Sequence, residues 1–349
     1  MTQRTTRALI VTRPAIGTYE PDVLRLEERA LPELGDGDLH LEVLYLSLDP
    51  TNRNWLKLEE ANTLRSKIGR DLHVGDAMVG EILGRVIESR DPAYVPGDIV
   101  AGVGEWQEET VVPAARMRPV PKGGGELLAT HLTIFSHIGL AAASGLHEIA
   151  KIQPGETVLV SAAGGATGRL AVGIAAAHGC TVIAIAGGPE KCAEAIASGA
   201  TAAIDYKAEA DLTSAIRAAA PNGVDVYFDN VGGPTLDAAL MSMAQGGRVA
   251  VCGVLSDYDA GEDRVGVKNM FQVLIREIRI QGFLAQRYWE KRHVYYDELR
   301  GLLESGRIKH IADESVGLET APQQLATLFK GANKGKLIVR IGAQADERL

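Results

Sequence analysis

The sequence predicts an α/β protein: a Rossmann-type doubly wound parallel sheet joined to a β-rich domain. Three observations carry this. Between about residues 155 and 285 short apolar runs alternate with helical stretches, and strands that are apolar throughout are those buried on both faces of a helix-covered parallel sheet. From about residue 5 to 120 the segments are shorter, alternating and punctuated by Gly and Pro. The chain has 349 residues, with 39 glycines against 5% aromatics; that length suits two domains, and that balance suits many tight strand-to-helix turns.

Taken in order, residues 39–45 and 98–103 read as strands of the β-rich part. Residues 119–125 hold two prolines and three consecutive glycines, which fits a crossing between domains. The rhythm then becomes strand 156–161, helix 169–178, strand 181–186 and helix 189–197. Strands follow at 202–205, 224–229, 248–253 and 278–283, then a helix near 288–304 and a last strand at 336–341, expected to return to the first domain.

Hydrophobic residues make up 46% and charged residues 23%, as in ordinary globular proteins. A net charge of −9 offers no broad electropositive surface, so nucleic acid is not expected as a partner. No apolar run is long enough to span a bilayer, and Met1-Thr2-Gln3-Arg4 lacks a signal-peptide core, so no membrane partner and a cytoplasmic location are expected. Cys180, Cys192 and Cys252 are widely spaced and odd in number, predicting reduced, mostly buried thiols.

The stretch 158–172 places small residues between a buried strand and an amphipathic helix, the arrangement that a dinucleotide pyrophosphate needs. Gly165 lets the backbone approach phosphate, Gly168 lets the helix pack on the strand, and the N–H groups of the helix start attract negative charge. The spacing is Gly-x-x-Gly after Ala-Ala-Gly, short of the full Gly-x-Gly-x-x-Gly; its context, followed by further strands, gives it weight against a merely tight turn. An NAD site usually carries a carboxylate after the second strand, but here that strand ends Ala186-Gly187-Gly188. Lys191 follows and Tyr206 comes after the third strand, a cation and a hydroxyl suited to a 2′-phosphate. NADP is therefore expected, against the plainer readings of a solvated lysine and a packing ring.

Several strings resemble those of one family: Tyr227-Phe228-Asp229-Asn230-Val231-Gly232-Gly233, the loop 161–168, the turn Gly188-Pro189-Glu190-Lys191 and the segment 252–258. They are similar to the zinc-independent medium-chain reductases, within them the leukotriene B4 dehydrogenase, prostaglandin reductase and curcumin-reductase-like group. The likeness extends to Leu46-Ser47-Leu48-Asp49-Pro50 and to residues 331–336. The resemblance implies a GroES-like catalytic domain over 1–125, completed by about 310–349, and a Rossmann NADP-binding domain over 126–309. It implies that Gly165, Ala166, Thr167 and Gly168 hold the pyrophosphate and that Lys191 and Tyr206 meet the 2′-phosphate. Asn230, Cys252, Gly253, Ser256, Tyr258, Phe283, Leu284, Ala285 and Asn333 would line the remaining cofactor, and Tyr258 stands at the position of the tyrosine used in this group's chemistry. Relatives of this group pair through the edge of the Rossmann sheet, so a homodimer is implied too.

The chain departs from that pattern in two places. Asp49-Pro50-Thr51-Asn52-Arg53 stands where relatives commonly have Asp-Pro-Tyr-Met-Arg, and residues 259–268 lack the usual prolines. Both departures bear on substrate preference.

No metal is expected. The first domain has no cysteine, Gly80-Glu81 stands where a Gly-His-Glu ligand motif might be sought, and His131 and His137 are six apart, the wrong spacing for one helix face. Ser161 lacks the flanking glycines of a hydrolase elbow. The carboxylates Asp257, Asp259, Glu262 and Asp263 read first as a solvated loop. The reaction expected is NADPH-dependent reduction of the carbon–carbon double bond of an α,β-unsaturated aldehyde or ketone, with Tyr258 as a proton-bearing donor. The alternatives are NADPH-dependent quinone reduction, or a non-catalytic NADPH-binding sensor.

Overall fold

The computed structural model describes residues 4–58, 71–258, 265–344 and 347–349. Contacts divide the chain into two units, Met1–Leu132 with Ala312–Leu349, and Thr133–Ile311.

The first unit opens with the antiparallel pair β1 (Thr5–Val11) and β2 (Leu24–Ala30). It continues through β3 (Asp38–Ser47), α1 (Pro50–Leu56), β4 (Val79–Ser89), β5 (Ile99–Glu105), β6 (Glu109–Pro113) and β7 (Met117–Pro119). Along β3 the register shifts between Val43 and Tyr45. This irregularity lets Leu41, Val43 and Leu46 join the core around Trp106, while the consecutive Leu44 and Tyr45 join a second cluster with Leu83. Leu128 and Leu132 belong to that second cluster. Their burial is why the unit ends at Leu132 and not at the glycines 123–125.

The second unit begins with α2 (His137–Ser144), which continues as the π-helical turn Gly145–Ala150. Then come β8 (Thr157–Val160), α3 (Ala166–Ala177), β9 (Thr181–Ala186), α4 (Pro189–Ala197), β10 (Ala202–Asp205), α5 (Leu212–Ala219), β11 (Val224–Asp229) and α6 (Gly233–Leu240). β12 (Met243–Val251), α7 (Met270–Ile275), β13 (Arg279–Gly282) and α8 (Arg292–Glu304) complete it. The sheet order is β10-β9-β8-β11-β12-β13, with every pair parallel. Alternate strand residues supply opposite layers. Val158, Val160, Val182, Ala184 and Phe228 pack with Leu140, Leu146, Ile174 and Leu299 on one side. Leu159, Ile183, Ile185 and Tyr227 pack with Ile216, Leu236 and Leu240 on the other. That is the doubly wound architecture, with its switch point between β8 and β11.

The chain then returns to the first unit as β14 (Ala312–Val316), α9 (Ala321–Phe329) and β15 (Lys336–Arg340). β15 lies parallel to β14 and antiparallel to β3, pairing Ile338 with Ser47, in a seven-stranded sheet ordered β14-β15-β3-β4-β5-β7 with β6 also on β3. Among the described residues no helix is long and apolar enough to cross a membrane.

Candidate nucleotide-binding site

At the switch point the turn after β8 is made almost wholly of small residues, Ala162, Ala163, Gly164, Gly165 and Ala166. Ala162 takes a left-handed φ of 47° and its carbonyl accepts the Gly165 N–H at 2.9 Å, which reverses the chain. Gly165 is the N-cap of α3, and Ala166, Thr167 and Gly168 form its first turn. Their N–H groups have no partner within the helix and carry its positive dipole end. A Cβ on Gly168 would stand 2.3 Å from the Ala162 carbonyl oxygen and 2.8 Å from the Ala163 Cα. These are backbone atoms that no rotamer change moves, so the turn requires glycine there. The turn is thus closed by backbone contacts and leaves the N–H groups of the helix start without helical partners.

Around it stand the residues expected for a 2′-phosphate. A Cβ on Gly164 would lie 2.9 Å from the Lys191 Cβ and 3.0 Å from its Cδ, so the Lys191 stem runs directly over the turn. Tyr206, half exposed, is tied to the end of β9 by its N–H to the Ala186 carbonyl at 3.1 Å. A Cβ on Gly187 would lie 3.1 Å from the Tyr206 hydroxyl and 3.0 Å from the Lys207 Cε. Lys207 is therefore a second cation at this end of the sheet, and spacing alone had not singled it out.

Two further residues escaped the sequence reading. Arg169 is buried, donates from Nε to the Gly164 carbonyl at 3.1 Å and pairs with Glu194 on α4. It clamps the phosphate turn to the helix that carries Lys191. The available signal was a cation in the first turn of a helix, where the dipole disfavours it. Asp205, at the end of β10, accepts the Gly188 N–H at 2.7 Å and the Lys207 N–H at 3.0 Å. It is a carboxylate beside the second turn that comes from the third strand, so inspection of the second strand alone missed it.

Across the switch point a buried network joins β8 to β11. The Ser161 hydroxyl donates to Asp229 Oδ1 at 3.3 Å and accepts the Asn230 N–H at 2.9 Å, while the Asn230 amide donates to the Ser161 carbonyl at 2.7 Å. The Tyr227 hydroxyl and the Val231 and Gly232 N–H groups also donate to Asp229 Oδ1. Burial pushes the Asp229 carboxyl up, and these donors offset that only partly. Ser161 and Asp229 thus hold Asn230 in place. The Ser161 hydroxyl is spent on this scaffold.

The loop after β12 is laced to the same place. Cys252 N–H and Gly253 N–H reach the Asp229 carbonyl at 2.8 and 3.1 Å, and Ser256 donates from its N–H and hydroxyl to the Val231 carbonyl. Burial pushes the Cys252 thiol up to about 12, with Asp229 adding to the shift, so it stays protonated. All three cysteines are free and partly covered, less buried than expected. Tyr258 ends the helical turn Leu255–Tyr258; its side chain lies outside the described residues, as do Asp259, Glu262 and Asp263. Phe283 packs beside Gly145, Leu284 is exposed and Ala285 is buried. Asn333 belongs to the first unit, where its buried amide donates to the Gly335 carbonyl at 2.7 Å.

Two family models match the chain, one described as a zinc-binding dehydrogenase over residues 166–304 and one as the N-terminal domain of oxidoreductase over 7–120. The first unit has no cysteine, and Glu81 is engaged with Arg118 at 3.0 Å. The chain is 35% identical over 316 residues to the 2-alkenal reductase (NADP(+)-dependent) of Nicotiana tabacum, covering 90% of each. It is 34% identical over 355 residues to the NADPH-dependent curcumin reductase of Escherichia coli (strain K12), covering 97% of each. Among solved structures, CurA from Vibrio vulnificus in complex with NADPH superposes with a TM-score of 0.88 at 29% identity, over 97% of this chain and 100% of that one.

Proposed function

The chain belongs to the zinc-independent medium-chain dehydrogenase/reductases, and on that premise we propose that it uses NADPH to reduce the carbon–carbon double bond of α,β-unsaturated aldehydes or ketones. The observation that carries this reading is the turn 161–168, where Gly168 leaves no space for a Cβ and the Lys191 stem lies over Gly164. That cradle suits a pyrophosphate on the N–H groups of Ala166, Thr167 and Gly168. Lys191, Tyr206 and Lys207 then supply positive charge and a hydroxyl for a 2′-phosphate, favouring NADPH over NADH. The relatives named for NADP-dependent alkenal and curcumin reduction support the substrate class.

NADPH, held by these residues, would supply the hydride for the substrate's β-carbon. The remaining task falls to the protein: negative charge develops on the carbonyl oxygen and must be met by a donor. Tyr258 is assigned that role, its hydroxyl hydrogen-bonding to the enolate oxygen while the α-carbon takes its proton from solvent water. Losing one such donor costs about 3 kcal/mol, or on the order of a hundredfold in rate. The test is NADPH consumption with a panel of enals, enones and quinones, for the wild type and Tyr258→Phe. Expected is rapid enone turnover by the wild type and a fall of about a hundredfold in kcat/KM for the variant. Unchanged kcat/KM in Tyr258→Phe would remove the donor role, and turnover of quinones alone would remove the substrate class.

A further inference from the structure

At the end of α3 opposite to the phosphate turn, three side chains from three elements meet. His147 lies in the π-helical turn, His178 is the C-cap of α3, and Glu298 sits on α8. The His147 Nε2 is 3.0 Å from Glu298 Oε2, and the His178 Nε2 is 2.8 Å from Glu298 Oε1. One ligand atom from each of the three falls within 4.8 Å of the other two. The imidazole rings stand 4.8 Å apart, centroid to centroid, at 60°. His147 is also held from behind: it stacks on Tyr295 at 6.2 Å, and the Tyr295 hydroxyl donates to Glu148 at 2.6 Å, which pairs in turn with Lys291.

We propose that His147, His178 and Glu298 form a site for a transition-metal dication of the Zn2+ class, separate from the nucleotide site. Two imidazole nitrogens and one carboxylate oxygen are the donors that such borderline ions prefer, whereas Mg2+ and Ca2+ take oxygen alone. Ligand bonds of about 2.0–2.1 Å set tetrahedral donors roughly 3.4 Å apart, so small side-chain movements convert the present contacts into coordination. The side chains are 22%, 42% and 24% exposed, which leaves an entry path from solvent. The carbonyls at the end of α3 add negative potential where His178 sits, favouring a cation there.

Three protein ligands leave a fourth position for water. At about 1.5 Å per residue the 12-residue α3 sets this cluster roughly 18 Å from the phosphate turn. The ion is therefore a staple and takes no part in hydride chemistry. It ties α8 and the π-helical turn to the end of α3, joining residues 151 apart in sequence.

The test is calorimetric titration of the full-length, chelator-stripped protein with Zn2+ at neutral pH, with thermal unfolding followed in parallel. Expected are one Zn2+ per chain, a Tm that rises with Zn2+, and affinity weakened by at least about tenfold in His178→Gln and in the isosteric Glu298→Gln. Cys180→Ser, close in sequence to His178, should bind as the wild type does, and NADPH turnover of the stripped enzyme should be unchanged by either ligand variant. Circular dichroism of the variants checks that they remain folded. Absence of saturable binding would overturn the proposal. So would binding that persists in a His147→Gln/His178→Gln double variant, or that is lost in Cys180→Ser.

Discussion

Lys191 is held where it is by residues that never need to touch a nucleotide. Its stem lies against Gly164, and one turn further along α4 Glu194 pairs with Arg169, which also grips the Gly164 carbonyl. The stem of the side chain is thus already laid along the turn before any nucleotide binds. A charge-assisted contact to phosphate contributes about 1.5–3 kcal/mol. Lys191→Ala should therefore weaken NADPH binding by roughly ten- to a hundredfold while leaving NADH nearly unchanged. Fluorescence titration with both nucleotides decides it, and an equal loss for the two would contradict the assignment. Tyr206 and Lys207 share the site's other edge beside Gly187, so the loss is expected to be partial.

Among elements, the clearest dependence is that of α1 on β15. The Lys336 ammonium is buried, donates to the Leu48 carbonyl and pairs with Asp49 at 2.8 Å, while Asp49 accepts the Ser47 hydroxyl at 2.6 Å and stands at the N-cap of α1. Removing one member of a buried pair leaves an uncompensated charge. Lys336→Met should lower stability by about 3 kcal/mol, read as a lower denaturant midpoint at unchanged slope; an unchanged midpoint would show that solvent already screens Asp49. Both partners lie in strings that the sequence reading had quoted, 46–50 and 331–336, yet nothing in either string says that they meet. The same limit separates what was legible from what was not. Apolar runs of the parallel strands and the glycines after β8 are local signals, and they located β8 to β13 and the tight turn at 161–168. Arg169 with Glu194, Asp205 with Gly188, and Ser161 with Asp229 are pairings across elements, and spacing along the chain does not encode them. The unit boundary at Leu132 was likewise hidden, because it depends on which cluster Leu128 and Leu132 join.

On the scale of the whole molecule, β13 is an edge strand of the second unit's sheet among the described residues. α7 has no buried residue, and its Phe271 and Leu274 are 65% and 72% exposed. Apolar side chains beside an edge strand suit pairing with a second copy. A homodimer by light scattering at micromolar concentration, converted to monomer by Leu274→Asp, is the expected outcome, and a wild-type monomer would remove it. The account's central claim, however, concerns where the hydride goes. The direct measurement is the position of deuterium in the product when the enzyme turns over an enone with NADPH deuterated at the nicotinamide C4. Deuterium on the β-carbon of a saturated ketone is the predicted result. Deuterium on the carbinol carbon of an allylic alcohol would mean that the carbonyl is reduced, and would contradict it.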